Sequence, residues 1–285
     1  MLLRQPPDAN VPNDASATLE TYDPARGAVT IAPETRAVIF LGRPGDLDGA
    51  RSTLAAQKKL PVFAITVTSD AAEATPPLSA PRPGEIAEYV LPRIDRELLR
   101  NRMFPHLLER CKGVEIAVGR RLPALRESAT SKLARDAASS ALKVSAVSAI
   151  VDNVPLLGIV LGAVASAGDI VAITGIQVVL LMQVGAIYGN DPDVAHVWEL
   201  LPVVGGGLGW RALSRQVSGF IPVAGVAVKG AIAYAGTVVV GESAGFFFEH
   251  GRHMTPLQAG QLYEEKRRAA LSFARDLAAR VRSRR

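Results

Sequence analysis

The chain has few aromatic residues and a single cysteine, and both shortages exclude classes of protein. Aromatic residues make up 5% of the 285 residues, although 48% of the residues are hydrophobic. A β-sandwich core usually relies on aromatic side chains, so this apolar mass of Ala, Val, Leu, Ile and Gly favours closely packed helices. Because Cys111 is alone, an internal disulfide is excluded, and the chain fits a reducing compartment.

Motifs that carry chemistry are also missing from the sequence. It has no G-x-x-x-x-G-K-[ST] loop for phosphate, no G-x-S-x-G nucleophile elbow, and no set of Cys or carboxylate residues that would complete a metal site. His250 and His253 form the one close histidine pair, and we interpret them as an exposed polar cap. The basic residues behind the net charge of +5 lack interleaved aromatic residues, which argues against nucleic acid. The sequence therefore predicts no enzyme activity, no metal and no cofactor.

Changes in composition along the chain predict a mainly helical protein that is preceded by a small βαβ lobe. Apolar runs at 36–42 and 61–68 have the pattern of buried parallel strands, with a helix over 46–59 between them and a short strand at 88–91. The predicted parts are a disordered tail at 1–34, a degenerate α/β lobe at 35–92, connecting helices at 93–150, an apolar helical domain at 151–252 and a basic amphipathic helix at 253–285.

The apolar domain contains an unusually long stretch without charge. Asp169 is the one charged residue between Asp152 and Asp191, and the segment 170–190 has the length that a membrane span needs. A helical hairpin with its turn at Gly168-Asp169 is the structure this pattern predicts. Gly158 and Gly162 form a G-x-x-x-G pair that lets two helix backbones approach closely.

A second apolar segment repeats the pattern of the first. Val154-Pro-Leu-Leu-Gly158 is echoed by Ile221-Pro-Val-Ala-Gly225, and the segment 221–248 is interrupted by charge at Lys229 and Glu242. The two copies predict a Gly/Ala-rich bundle of two apolar hairpins, with Gly241 and Gly245 as helix-packing residues. Asp169 and Glu242 are the candidate buried ionisable residues, because a charge in apolar surroundings is costly and often functional.

Three locations for the apolar segments stay open at this point: spanning a membrane, entering it as an interfacial hairpin, or forming the core of a soluble domain. Basic residues flank the apolar block, and residues 255–285 have an apolar stripe that includes Leu262 and Ala270 beside many arginines. These flanks predict contact with an anionic membrane from the cytoplasmic side.

Six short motifs follow one another between about 115 and 252: Arg121-Leu-Pro-Ala-Leu-Arg126, Val154-Pro-Leu-Leu-Gly158, Gln183-Val-Gly-Ala-Ile-Tyr-Gly189, Arg211-Ala-Leu-Ser-Arg215, Ile221-Pro-Val-Ala-Gly225 and Thr237-Val-Val-Val-Gly241. Their order resembles family 697 of the domains of unknown function, the YcjF-like module. Modules of this family are commonly attached behind Era-like GTPase domains, and some members are described as membrane proteins. The resemblance implies an architecture and a GTPase partner, but no reaction.

The first lobe lacks what a working GTPase needs. Gly42-Arg-Pro-Gly45 is similar to the D-x-P-G turn of such enzymes, but Gly42 stands in place of the metal-linked Asp. Thr66-Val-Thr-Ser-Asp70 is similar to the guanine-reading N-K-x-D segment only at Asp70. We therefore predict a non-enzymatic protein of the cytoplasmic membrane, integral or peripheral, with a protein partner and a possible homo-oligomeric state. The alternative is a soluble interaction or regulatory domain.

Overall fold

The structure is a computed structural model that describes residues 31–68, 77, 79–152, 158–190 and 226–282. Within the helices, the side chains of 146–152, 158–170, 226–229 and 273–282 lie outside this description. The chain divides into two compact units, Met1–Ala129 and Thr130–Arg285. The divisions predicted from composition lie elsewhere, at 92 and 150, whereas the two units divide within a continuous helix.

The first unit contains the small α/β lobe. Three strands, β1 (Val38–Gly42), β2 (Val62–Val67) and β3 (Ile86–Leu91), form a parallel sheet in the order β1-β2-β3. Helix α1 (Pro44–Ala55) connects the first two strands, and it begins at a proline, whose fixed φ suits the first turn of a helix. The predicted βαβ pattern is confirmed.

Side chains from alternate positions of β2 pack on opposite faces of this sheet. On one face, Leu47 and Leu54 of α1 form a buried cluster with Val62 and Ala64. On the other face, the rings of Phe63 and Tyr89 stack with their centroids 6.2 Å apart. A sheet that is covered on both faces explains why its strands appear in the sequence as continuous apolar runs.

Short helices follow the sheet and lead into a long one. They are α2 (Arg96–Arg102), α3 (Phe104–Arg110), α4 (Glu115–Arg121), a 3₁₀ turn at Pro123–Leu125, and α5 (Arg126–Asp152). Asp95 caps α2, because its carboxylate accepts the backbone N–H of Leu98 at 2.8 Å. This backbone hydrogen bond, followed by the one from Arg93, lowers the pKa of Asp95.

The second unit is helical throughout its described part. Besides most of α5 it contains α6 (Gly158–Ile187), α7 (Val226–His250) and α8 (Pro256–Arg282). Contacts show that α7 runs parallel to α6, because Gln177 lies beside Thr237 and Tyr188 beside Phe248. It runs antiparallel to α5, since Gly230 lies beside Leu142 but Gly241 beside Ala134. The mainly helical fold class is confirmed.

The predicted turn at Gly168-Asp169 is wrong, because α6 continues through both residues as one helix of 30 residues. A glycine inside a helix costs about 1 kcal/mol relative to alanine, which a packed helix tolerates easily. Without a proline beside it, Gly168 was too weak a signal for a turn. The close helical pair is instead α7 and α8, joined by a short turn that contains Gly251 at φ +64°.

Several predicted features lie outside the described residues. They are the tail over 1–30, the repeated segments at 153–157 and 221–225, and the glycine-rich and basic stretch at 205–215.

Candidate membrane-facing surface

Two glycines of α7 lie at a very close helix contact. A Cβ atom added at Gly241 would lie 2.7 Å from the Cβ of Ala134, and one added at Gly245 would lie 2.7 Å from the Cγ2 of Thr130. Distances this short are essentially never seen between real side-chain atoms, so α5 and α7 can approach this closely only because both positions are glycine. The close approach places α7 in the interior of the unit.

Helix α7 is enclosed along almost its whole described length. No residue from 230 to 248 is exposed, and Ala235, Val238 and Ala244 are essentially inaccessible. The buried hydroxyl of Thr237 accepts a hydrogen bond of 3.3 Å from the amide of Gln177 on α6. A polar side chain in the apolar segment of α6 thus has a partner inside the protein.

Helix α6 differs, because it presents an apolar surface outward. Val171 is 73% exposed and Val179 is 53% exposed, while Ala172 and Gly175 between them are also exposed. At 100° per residue these four positions lie within about 100° of the helix circumference. Leu180, Leu181, Val184 and Ile187 are buried on the opposite side. We call Val171, Ala172, Gly175 and Val179 the outer stripe.

Among the described residues, one helical segment is long and apolar enough to cross a membrane. It is Gly230–His250 of α7, with a mean hydropathy of 1.4, and half of its apolar window is buried. Its 21 residues extend about 31 Å, close to the hydrocarbon thickness of a bilayer. Within the segment that the sequence favoured, 170–190, Val171–Ile187 is also an apolar helix, and it is the C-terminal part of the 30-residue helix α6. The core helix of a soluble protein meets the same criteria. The surroundings of α6 and α7 therefore have to show which of the two could contact lipid.

Helix α8 packs with its apolar side against α7. Ala270 is buried, Leu262 and Tyr263 are half-buried, and Glu265 and Arg268 on the other side are exposed. The described half of the predicted apolar stripe therefore faces the protein. Glu264 and Arg267 form an ion pair at 2.7 Å, and this hydrogen bond lowers the pKa of Glu264.

Aromatic rings, histidines and an arginine gather at the turn between α7 and α8. Phe246 stacks on His250, with centroids 4.3 Å apart, and Phe247 stacks on His253 at 5.0 Å. The Arg252 guanidinium lies 5.0 Å from the centre of the Phe246 ring. The interpretation of the two histidines as an exposed polar cap did not include these ring contacts. The run of three phenylalanines directly before them was the available signal.

The surroundings of the predicted ionisable residues and of the predicted G-x-x-x-G residues are described for some of these residues and not for others. Glu242 is half-buried on α7 and has an interaction partner. Asp169 lies within α6, but its side chain is outside the described part, as are the contacts of Gly158 and Gly162. The structure brings Gly241 and Gly245 together on the α5 side of α7, and it assigns no common site to the other four residues.

A metal-binding cluster and the single cysteine are two possible sources of chemistry in the part of the chain that the structure describes. No cluster of three or more His, Cys, Asp or Glu side chains suited to a metal ion is found there. Cys111 is buried, and burial raises its pKa to about 11. At neutral pH it is therefore a protonated thiol and a poor nucleophile.

Comparisons with protein-family models, with curated proteins and with solved structures find no match for this chain. The resemblance described from the sequence motifs therefore stays a prediction.

Proposed function

We propose that this chain is a non-enzymatic, membrane-associated helical protein that attaches to the cytoplasmic face of an anionic membrane through α6 and acts through a protein partner. The observation that carries the proposal is the outer stripe, in which two valines are exposed by 73% and 53%. Apolar side chains held in water on one side of a helix, here about two turns apart, favour transfer into an apolar environment. The GTPase partner is what the family resemblance implies.

Attachment at the surface fits the packing of the helices better than a span does. Since α8 turns back along α7, Glu264 to Arg268 lie roughly 15–20 Å from the turn, beside the middle of α7. Each charged residue in the centre of a bilayer costs about 2.5–3.5 kcal/mol on insertion scales. A bundle that crossed the membrane along α7 would place several such residues in lipid, whereas a bundle lying on α6 would place none of them there.

The strength of this attachment can be bounded. Burying a valine side chain fully contributes about 1.5–3 kcal/mol, so the two partly exposed valines contribute on the order of 2–4 kcal/mol together. That is comparable to a weak, reversible membrane anchor, which needs a second contact for stable attachment.

The test is flotation of the full chain with phospholipid vesicles that contain anionic lipid. We expect wild-type protein to float, and we expect the double variant Val171→Gln, Val179→Gln to lose most of its binding, because glutamine removes the apolar contact without adding a charge that anionic lipid would attract. Leu41→Gln is the matched control, because Leu41 is an exposed apolar residue (58%) on β1 of the first unit. Wild-type protein that stays with the soluble fraction at all lipid concentrations would reject the membrane proposal.

The second candidate is a soluble interaction domain whose partner protein covers the outer stripe. The observation that favours it is the enclosure of α7, because the protein shelters its long apolar helix by itself. Gly175→Leu separates the two candidates. An added Cβ at Gly175 meets no atom within 4 Å, so the larger side chain would extend outward. It should strengthen binding to lipid, which is fluid, but weaken binding to a shaped protein surface.

A further inference from the structure

The turn between α7 and α8 differs in chemistry from the rest of the second unit. Three of the eight phenylalanines in the chain, Phe246 to Phe248, occupy consecutive positions at the end of α7. Phe248 also stacks on Tyr188 at the end of α6, with centroids 5.6 Å apart. The ends of two helices that run in the same direction are thus tied together by aromatic rings at one end of the unit.

This turn also exposes a large apolar side chain. Leu257, in the first turn of α8, is 71% exposed, and the phenylalanine rings beside the turn are half-buried. The backbone that presents Leu257 is held firmly, because the Thr255 backbone N–H donates to the side chain of Gln258 at 2.9 Å. The Gln258 N–H donates back to the Thr255 hydroxyl at 3.3 Å. Leu257 is therefore exposed on a turn whose backbone is fixed by hydrogen bonds.

The polar groups around the turn suit contact with a surface that has an apolar interior and an anionic outer layer. Arg252, His250 and His253 are exposed and lie against ring faces, while Glu249 is also exposed. The Nδ1 atom of His250 is engaged with the backbone oxygen of Phe246 at 3.1 Å. Aromatic rings, an exposed leucine and an arginine whose charge stays outward are the composition of an interfacial anchor.

We propose that this turn is a second membrane contact, in which Leu257 and the edges of Phe246 and Phe247 enter the boundary between headgroups and acyl chains. Arg252 then meets the phosphates of phospholipid headgroups. The inference rests on the proposed membrane association and adds the contact that the weak attachment through the outer stripe requires. A free phosphate would not account for the exposed Leu257.

The experiment measures where the turn lies when the full chain binds vesicles. In a Cys111→Ala background, Leu257→Cys carries an environment-sensitive dye, and Leu41→Cys carries the same dye as the control. Vesicles of phosphatidylcholine with phosphatidylglycerol are then added. We expect a blue shift of the dye at position 257 and none at position 41.

Binding constants give a second readout without the dye. Leu257→Gln should weaken vesicle binding about tenfold, and Leu41→Gln should leave it unchanged. Arg252→Gln should weaken it about fivefold on anionic vesicles, and Arg268→Gln, which removes an exposed charge from α8, should have a smaller effect. Circular dichroism establishes that each variant is folded.

The outcomes separate this inference from the proposed function. If wild-type protein floats but the dye at position 257 does not shift and Leu257→Gln binds normally, the turn is not a contact, and membrane association stands. If wild-type protein does not float, both proposals fail.

Discussion

Helices α6 and α7 have nearly the same apolar composition but opposite surroundings. Between 170 and 187, α6 has no charged residue, whereas α7 includes Glu242 within its apolar segment. From composition alone, α6 would be the helix to place in lipid. Yet from 171 to 187, where its side chains are described, α6 is exposed only along its outer stripe, and α7 has no exposed residue from 230 to 248. The length of an apolar segment therefore does not decide whether a helix is buried. Burial depends on how closely neighbouring helices can pack against it.

Glycine position accounts for part of this difference. Gly241 and Gly245 of α7 face α5 at distances that no side chain could occupy, whereas Gly175 of α6 faces open space. The same residue type thus promotes close packing in one helix and leaves a shallow, uncovered surface in the other. Substitutions at matched positions of the two helices test this difference, because they should change stability in opposite directions.

The largest expected effect comes from placing a charge at equivalent apolar positions of the two helices. Val238 of α7 is 1% exposed, and Val179 of α6 is 53% exposed. Val238→Lys buries an unpaired ammonium group, so we expect a loss of about 4 kcal/mol or more in the free energy of unfolding, or failure to fold. Val179→Lys should change it by less than about 0.5 kcal/mol. Urea unfolding of both variants measures the contrast, and equal losses would mean that α6 is as enclosed as α7.

A smaller effect is expected from overfilling the contact between α5 and α7. Gly241→Ala places a methyl group 2.7 Å from the Cβ of Ala134 and 3.0 Å from Leu180, so the helices must move apart. Overpacking costs about 1–3 kcal/mol, and alanine returns up to about 1 kcal/mol in helix propensity. We expect a net loss of about 1–2 kcal/mol in thermal or urea unfolding. An unchanged or increased stability would show that the contact is looser than described.

The same substitution on the open side of α6 should have the opposite sign. Gly175→Ala meets no atom within 4 Å, so only the helix propensity changes. We expect a gain of about 0.5–1 kcal/mol in the free energy of unfolding. Gly260→Ala in α8, where the added Cβ also meets nothing, is the control for a helix whose other side is packed. A loss at position 175 alone would indicate that another part of the chain covers the outer stripe.

The smallest effect at neutral pH is expected at Tyr263, on the side of α8 that packs on α7. Burial raises the pKa of its hydroxyl above the usual value of 10.0. The unfolded chain therefore loses this proton first, and stability falls as pH rises above about 10. Its hydroxyl oxygen is buried without a hydrogen-bond partner, so Tyr263→Phe should be nearly neutral at pH 7.

Tyr263→Phe should also lose part of the alkaline destabilisation. Melting temperatures of both proteins between pH 7 and pH 11 give this comparison. Parallel curves over the whole range would mean that Tyr263 does not titrate differently in the folded state.

Much of the fold could be predicted from local patterns. The first two strands were expected at 36–42 and 61–68 and lie at Val38–Gly42 and Val62–Val67, because short apolar runs that end at Gly or Pro have few alternatives. The helical second half followed from its Ala- and Gly-rich composition. The turn at Gly168-Asp169 failed because a single glycine is a weak break, and hydrogen bonds of the surrounding apolar helix outweigh it.

The candidate surface could be predicted only in part. The uncharged segment that contains the outer stripe is evident from the sequence, but which of its residues face outward is not. Its polar residues, such as Thr174 and Gln177, lie outside the outer stripe, so no polar side marks the exposed one. The aromatic contacts at the turn were missed for a different reason. Phe248 and Tyr188 are 60 residues apart, and only the parallel arrangement of α6 and α7 brings their rings together.

Local patterns are enough to predict the parallel α/β lobe, the helical character of the second half and the presence of two apolar helices, because these depend on periodicity and composition within short windows. The position of α7 inside the unit and of α6 at its surface follows from the three-dimensional packing instead. This packing depends on close contacts between distant residues, such as Gly241 with Ala134 and Gln177 with Thr237. The free energy of such contacts comes from shape and packing, which no local pattern records.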